Sequence, residues 1–185
     1  MSRQDIARWQ QKYAAPADHP LAPDPLLEKY AQLLRGPGLA LDLACGRGRN
    51  SIFLAQLGKT VFAVDGSLLA LQSLRQQDAN IHAWVADLEH WTVPGVAFDL
   101  IVVNFFLLRP LLPGLTAALR PHGLLLYQTF NCNILHQRPG FSSRYLLEAG
   151  ELQQAFAGLT ILASNDTPDN GDSSSFILAR KAASE

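Results

Sequence analysis

Cysteine is scarce: Cys45 and Cys132 are the only two in 185 residues, and they lie far apart in the chain. That excludes a disulfide framework and any Cys-based metal spacing, and no metal site is expected. Charge is scarce as well, at 17% of residues, with 15 Lys and Arg against 16 Asp and Glu and a formal net charge of −1. No dense run of Lys or Arg supplies the footprint that phosphate-backbone binding requires, so no nucleic-acid partner is expected. Long apolar runs are missing too. The longest, from Leu100 to Leu108, is broken by Asn104 and stops at Arg109-Pro110, too short to cross a bilayer. The start, Met1 to Ile6, lacks the apolar stretch of a secretory signal. These absences together predict a cytoplasmic protein with reduced thiols and no membrane partner. No internal repeat, low-complexity tract or second domain interrupts the chain, which is read as one domain over 1–185.

What is present is a core and an alternation. Apolar residues make up 48% of the chain. Pro16, Pro20, Pro23 and Pro25 follow a short helical stretch from Asp5 to Tyr13, and Pro25 is placed to open a helix through Leu26, Leu27, Tyr30, Leu33 and Leu34. Residues 1–36 thus form a helical cap and 37–181 the core. Strand-length runs rich in branched and aromatic residues occupy Leu39–Leu43, Thr60–Val64, Ile81–Val85, Phe98–Val103 and Gly123–Thr129. Helical segments at Asn50–Leu57, Ser67–Gln77, Leu111–Leu119 and Glu148–Phe156 lie between or after them. Strands alternating with helices predict right-handed βαβ units: an α/β, doubly wound, Rossmann-like parallel sheet covered on both faces. The last two strands, Thr160–Ser164 and Ser174–Ala179, are joined by residues 165–172, rich in Asn, Asp, Pro and Gly. That turn chemistry predicts a hairpin, with the final strand antiparallel.

The most informative stretch is Leu41-Asp42-Leu43-Ala44-Cys45-Gly46-Arg47-Gly48-Arg49-Asn50-Ser51, between a strand and a helix. Glycines there let backbone N–H groups approach a ligand with no Cβ in the way, although a tight strand-to-helix turn uses glycine equally. The second strand ends at Asp65, where a carboxylate accepts the hydroxyls of a ribose diol or, alternatively, caps the next helix. The third ends Ala86-Asp87-Leu88: Asp87 is suited to an adenine amine, with Leu88 against the ring, or else is a solvated loop acid. Asp42 puts a negative charge beside the loop. That disfavours a pyrophosphate and suits a sulfonium or ammonium, so a nicotinamide dinucleotide oxidoreductase is the lesser reading.

Residues 41–51 resemble motif I of the class I S-adenosylmethionine-dependent methyltransferases, and the Gly48-Arg49-Asn50-Ser51 ending is similar to the tellurite-resistance (TehB-like) group. Val61–Ser67 resembles motif II, Val85–Trp91 motif III, Phe98–Leu107 motif IV and Leu119–Phe130 motif V, and Ile177–Lys181 looks like the final strand. The resemblance runs from about Trp9 to Lys181. It implies a seven-stranded sheet in the order 3-2-1-4-5-7-6 with strand 7 antiparallel. It also implies that Ala44, Cys45, Gly46, Gly48, Arg49 and Asn50 contact S-adenosylmethionine, with Asp65, Gly66 and Ser67 at the ribose and Asp87 and Leu88 at the adenine. Asn104 would line the floor near the methyl group. The product would be S-adenosylhomocysteine. One departure is chemical: the tellurite group carries basic residues before its last strand, whereas Asn165 to Ser175 holds three aspartates and no base. Tellurite is therefore not the expected acceptor.

Methyl transfer from a sulfonium depends chiefly on alignment, so the lack of an obvious acid–base pair does not argue against catalysis. A small-molecule acceptor suits a chain with no room for an inserted substrate domain. Its side of the site is expected in the loop after the fifth strand, where His136 is a candidate base and Arg138 and Arg144 are candidate anion ligands, all three equally readable as solvated loop residues. Trp9 and Tyr13 either cover the site or pack the first helix. Phe105-Phe106 stand where amino-group methyltransferases carry prolines, which does not support that acceptor class. A cofactor-binding domain that regulates or scaffolds without turnover is the alternative from another class.

Overall fold

Asp24 and Pro25 start the first helix that the structure describes. The Asp24 carboxylate accepts the Leu26 N–H at 3.0 Å, and Pro25 fills a first-turn position whose N–H would have no helical partner. The structure, a computed structural model, describes residues 10–11, 13–14, 22–72, 74, 77–95, 98–166 and 171–183. Ile6 and Trp9 of the expected N-terminal helix lie outside them, as do residues 167–170 of the final turn. The single helix expected after Pro25 is two short ones, α1 (Pro25–Lys29) and α2 (Ala31–Leu34), separated at Tyr30, whose φ of −102° and ψ of 11° leave the helical region. Leu27 and Leu34 are buried and anchor the pair.

The chain divides into two compact units, Met1–Thr92 and Val93–Glu185. In the first, β1 (Leu39–Leu43), α3 (Arg49–Gln56), β2 (Thr60–Asp65), α4 (Leu68–Leu71) and β3 (Ile81–Val85) follow one another. β2 pairs in parallel with β1, from Leu39↔Thr60 to Leu43↔Val64, and with β3, from Val61↔Ile81 to Asp65↔Val85. This register brings the carboxyl ends of the strands level, so the loop after Leu43, the acid Asp65 and the turn after Val85 share one edge. Among the described residues of the expected Ser67–Gln77 helix, α-helix extends only to Leu71.

The second unit holds β4 (Phe98–Asn104), a 3₁₀ turn (Arg109–Leu111), α5 (Leu112–Ala118), β5 (Leu119–Phe130), α6 (Ile134–Gln137), a second 3₁₀ turn (Ser143–Tyr145), α7 (Glu151–Ala155), β6 (Thr160–Asn165) and β7 (Ser174–Arg180). β4 and β5 are parallel, while β7 runs antiparallel to both β5 and β6. The strand order is β3-β2-β1-β4-β5-β7-β6, the expected doubly wound order with an antiparallel final strand. β5 differs from expectation: it starts at Leu119, before Pro121-His122-Gly123. The register with β4 shifts between Phe98 and Leu100, and His122 takes a φ of +64°, so this segment is a bulge inside the strand. Gly123 is required there, because a Cβ would lie 2.8 Å from the Phe98 carbonyl oxygen and 2.9 Å from that of Arg120. Tyr127, Phe98 and Phe156 are the largest fully buried side chains of this unit. No helix among the described residues is long and apolar enough to cross a membrane.

Candidate functional site

In the first unit the loop after β1 alternates its backbone hand. Ala44, Gly46 and Gly48 have φ of +56°, +56° and +78°, which Ala44 adopts at a steric cost that glycine avoids. Cys45 donates its N–H to the Val64 carbonyl at 3.1 Å, tying the loop to β2, and Gly48 donates to Cys45 at 3.0 Å. Gly48 packs so closely that a Cβ would overlap both Cδ atoms of the fully buried Leu74 and lie 2.9 Å from its Cγ. Gly46 is covered by Tyr13: a Cβ there would lie 2.7 Å from the Tyr13 hydroxyl oxygen. Arg47 adds to this cover, donating to the Tyr13 carbonyl at 3.0 Å with its guanidinium 5.6 Å over the Tyr13 ring.

Asp65 is the centre of this constellation. One of its oxygens accepts the Gly46 N–H at 2.8 Å and the other the Ser67 N–H at 2.8 Å; the Gly66 N–H also points to it. Burial nevertheless raises its carboxyl above the ordinary range, because desolvation outweighs the three donors. Such a carboxylate has roughly four acceptor positions, so capacity for a ligand hydroxyl remains, and a further O–H donor would favour its charged form. The helix-capping alternative belongs to Ser67, whose hydroxyl accepts the Ala70 N–H at 3.3 Å ahead of α4.

Asp42 is only 1% exposed on β1, and accepts the Ser51 hydroxyl at 2.6 Å. Burial lifts its carboxyl to about 7, against a smaller lowering by the Ser51 hydrogen bond. Burial likewise holds the Cys45 thiol protonated. Asp87 is exposed and hydrogen-bonded to His90 Nδ1 at 2.9 Å, which holds its carboxyl below the ordinary range. Leu88 beside it is fully buried.

Arg49 and Asn50 are engaged elsewhere. Arg49 pairs with the Asp24 carboxylate at 3.0 Å, and the Asn50 amide oxygen accepts the Asp24 N–H at 3.0 Å, so both fasten the segment before α1 to the start of α3. The loop, Asp65, Gly66 and Ser67 are thus brought together, while the Arg49 and Asn50 side chains bond Asp24 and the Leu88 side chain is buried. Tyr13 and Arg47 join the loop with no motif to announce Arg47.

In the second unit Asn104 ends β4. Its amide donates to Gln128 Oε1 at 3.3 Å, and Gln128 donates in turn to the Ser174 hydroxyl at 3.1 Å, a relay spanning β4, β5 and β7. His136 and Arg138 are exposed, and Arg144 lies on the second 3₁₀ turn with its guanidinium 5.7 Å over Tyr145. Arg138 instead stands over Phe130, its guanidinium 5.8 Å from the ring centroid. Arg109 holds the segment that carries Arg144: it pairs with Glu151 at 2.7 and 2.9 Å and donates to the carbonyls of Arg144 and Leu146 at 3.0 and 2.9 Å. Among the described residues no group of three His, Cys, Asp or Glu side chains is placed to hold a metal ion.

Comparison with known proteins bears on the same residues. Residues 40–123 match the family described as methyltransferase domain. The malonyl-[acyl-carrier protein] O-methyltransferase of Salmonella typhimurium is 35% identical over 94 residues, covering 48% of this chain and 38% of the relative. The chain therefore matches less than half the length of that curated relative. TehB from Haemophilus influenzae has a similar fold, with a TM-score of 0.69 at 20% identity over 94% of this chain and 65% of the other. Magnesium protoporphyrin IX methyltransferase from Synechocystis, solved with bound S-adenosylhomocysteine, gives a TM-score of 0.67 at 17% identity, covering 97% and 95%. At such identities the likeness shows the fold alone.

Proposed function

We propose that this chain is a class I methyltransferase that transfers the methyl group of S-adenosylmethionine to a small-molecule acceptor, a reading supported by the domain match over residues 40–123 and by the strand order. The observation that carries this reading is the contact of the Asp65 carboxylate with the Gly46 N–H at 2.8 Å, within the matched domain. It sets a buried carboxylate, with acceptor capacity for a ribose hydroxyl, directly against the loop after β1.

In this reading the ligand meets the loop that runs through Ala44, Gly46 and Gly48, and Gly66 and Ser67 hold Asp65 in place. Asp87, open to solvent, accepts from the adenine amine. Asp42, buried on β1 and bonded to Ser51, takes up its charge when a cationic ligand end lies at the loop. When bound, S-adenosylmethionine supplies a methyl carbon activated by its sulfonium. The protein's task is then to orient an acceptor lone pair in line with the breaking C–S bond, a contribution of several kcal/mol (roughly 7–11 in well-aligned model reactions). An anionic acceptor has no proton to lose. A hydroxyl or amine would lose its proton to a base such as His136.

Incubation of the full chain with S-adenosylmethionine and a panel of small carboxylates, thiols, phenols and amines tests the reading. The relatives' O-methyltransferase name puts carboxylates first. Acceptor-dependent S-adenosylhomocysteine, detected by mass spectrometry and lost in Asp65→Ala, is the expected result. Tight cofactor binding with no product from any class would leave a binding module without turnover.

A further inference from the structure

We propose that the carboxyl ends of β4 and β5 form a platform for a flat, apolar anion, with phenylalanine rings for its body and Arg138 for its charge. This rests on the methyltransferase reading and names the acceptor class for it.

Phe105, the first residue after β4, has a φ of +54°, a conformation that a bulky side chain adopts only under constraint. Two hydrogen bonds impose it: the Phe105 N–H donates to the Gln128 carbonyl at 2.8 Å, and the Tyr127 hydroxyl donates to the Phe106 carbonyl at 2.9 Å. The outcome is a ring held at the surface, in a residue that is 36% exposed. That ring stacks on Phe130, the last residue of β5, at 4.7 Å and 28°, and Phe141 packs edge-on against Phe130 at 5.2 Å and 70°. Phe130 and Phe141 are only half-buried, so the three rings form one apolar surface that water reaches.

Arg138 completes it. A turn closed by Phe141 N–H donating to the Arg138 carbonyl at 2.9 Å sets this side chain beside the rings, with its guanidinium over Phe130. Glu151 is committed to Arg109, and the Asp172 carboxylate accepts from Asn165. Among the described residues no carboxylate pairs with Arg138. A cation held over an open aromatic surface, without a counter-ion of its own, is complementary to a planar apolar molecule bearing a carboxylate or similar anion.

The test is calorimetric titration of the full chain, with and without saturating S-adenosylhomocysteine, using 2-naphthoate and its neutral isostere 2-naphthamide. The naphthoate is expected to bind about tenfold tighter, the ratio of one exposed charge-assisted contact. Arg138→Gln should reduce the naphthoate to the affinity of the amide. Phe105→Ala should weaken both probes alike while S-adenosylhomocysteine affinity holds. Thermal melts of the two variants check that each is folded; Arg138, being exposed and without an ion-pair partner among the described residues, should leave the melt unchanged. Equal affinities for the two probes overturn the proposal. So does indifference to Arg138→Gln, or failure of both probes to bind a protein that still binds S-adenosylhomocysteine. Loss of S-adenosylhomocysteine binding alone would instead overturn the cofactor reading and leave the platform standing.

Discussion

Gly48→Ala should destabilise the protein by roughly 2–5 kcal/mol. About 1–2 kcal/mol comes from forcing a Cβ into the left-handed region at φ +78°, and about 1–3 kcal/mol from overpacking against Leu74. Leu74 is fully buried. The midpoint of urea unfolding should fall with an unchanged m-value, as expected when the native state alone is strained. Ala44→Gly is the informative control. Ala44 already sits at φ +56°, so glycine relieves the same strain, while the freer unfolded chain offsets about 0.4–1 kcal/mol of the gain. That variant should lie within about 1 kcal/mol of the parent. A Gly48→Ala protein as stable as the parent would mean that the loop is not packed against Leu74 as described.

The second large effect is on pH dependence. Asp42 keeps its proton in the fold up to about 7, whereas the unfolded chain releases it near 3.8. Between those values the folded state binds more protons than the unfolded state, so stability falls as pH rises from about 4 to about 7 and is flat above. Asp65, also raised by burial, contributes with the same sign. Asp42→Asn removes one titrating site. Its constant cost, from altered hydrogen bonding to Ser51, cancels when stabilities are compared across pH. The variant should therefore gain on the parent by on the order of 2–4 kcal/mol between pH 4 and pH 8. Parallel stability–pH curves for parent and variant would contradict a protonated, buried Asp42. A cationic ligand at the loop favours the charged carboxylate, so its affinity should rise with pH towards 7.

The strands were legible because each is a short apolar run ending in a turn, and β1 and β3 coincide with the runs Leu39–Leu43 and Ile81–Val85. β5 was not legible in full, since Pro121-His122-Gly123 carries the composition of a turn. What keeps it in the sheet is the pairing of Phe98 with Leu119 across the bulge, a long-range contact that no local window contains. The place of Asp65 at the end of β2 was legible because the apolar run stops at that acid. Arg49 and Asn50 read as loop ligands, yet their partner, Asp24, lies 25 and 26 residues away. Leu88 shows how little separates the two sides of a turn: Asp87 faces solvent and its neighbour faces the core. The stacking of Phe105, Phe130 and Phe141 required three chain segments to converge. The signal available was that two of these rings follow or end adjacent parallel strands.

The measurement that bears most directly on the central claim is calorimetric titration of the full chain with S-adenosylmethionine, S-adenosylhomocysteine and NAD, with Asp65→Ala as the control. The account predicts micromolar binding of both sulfur compounds, its loss in Asp65→Ala and no binding of NAD. A folded protein that binds neither sulfur compound, or that binds NAD through Asp65, would contradict it.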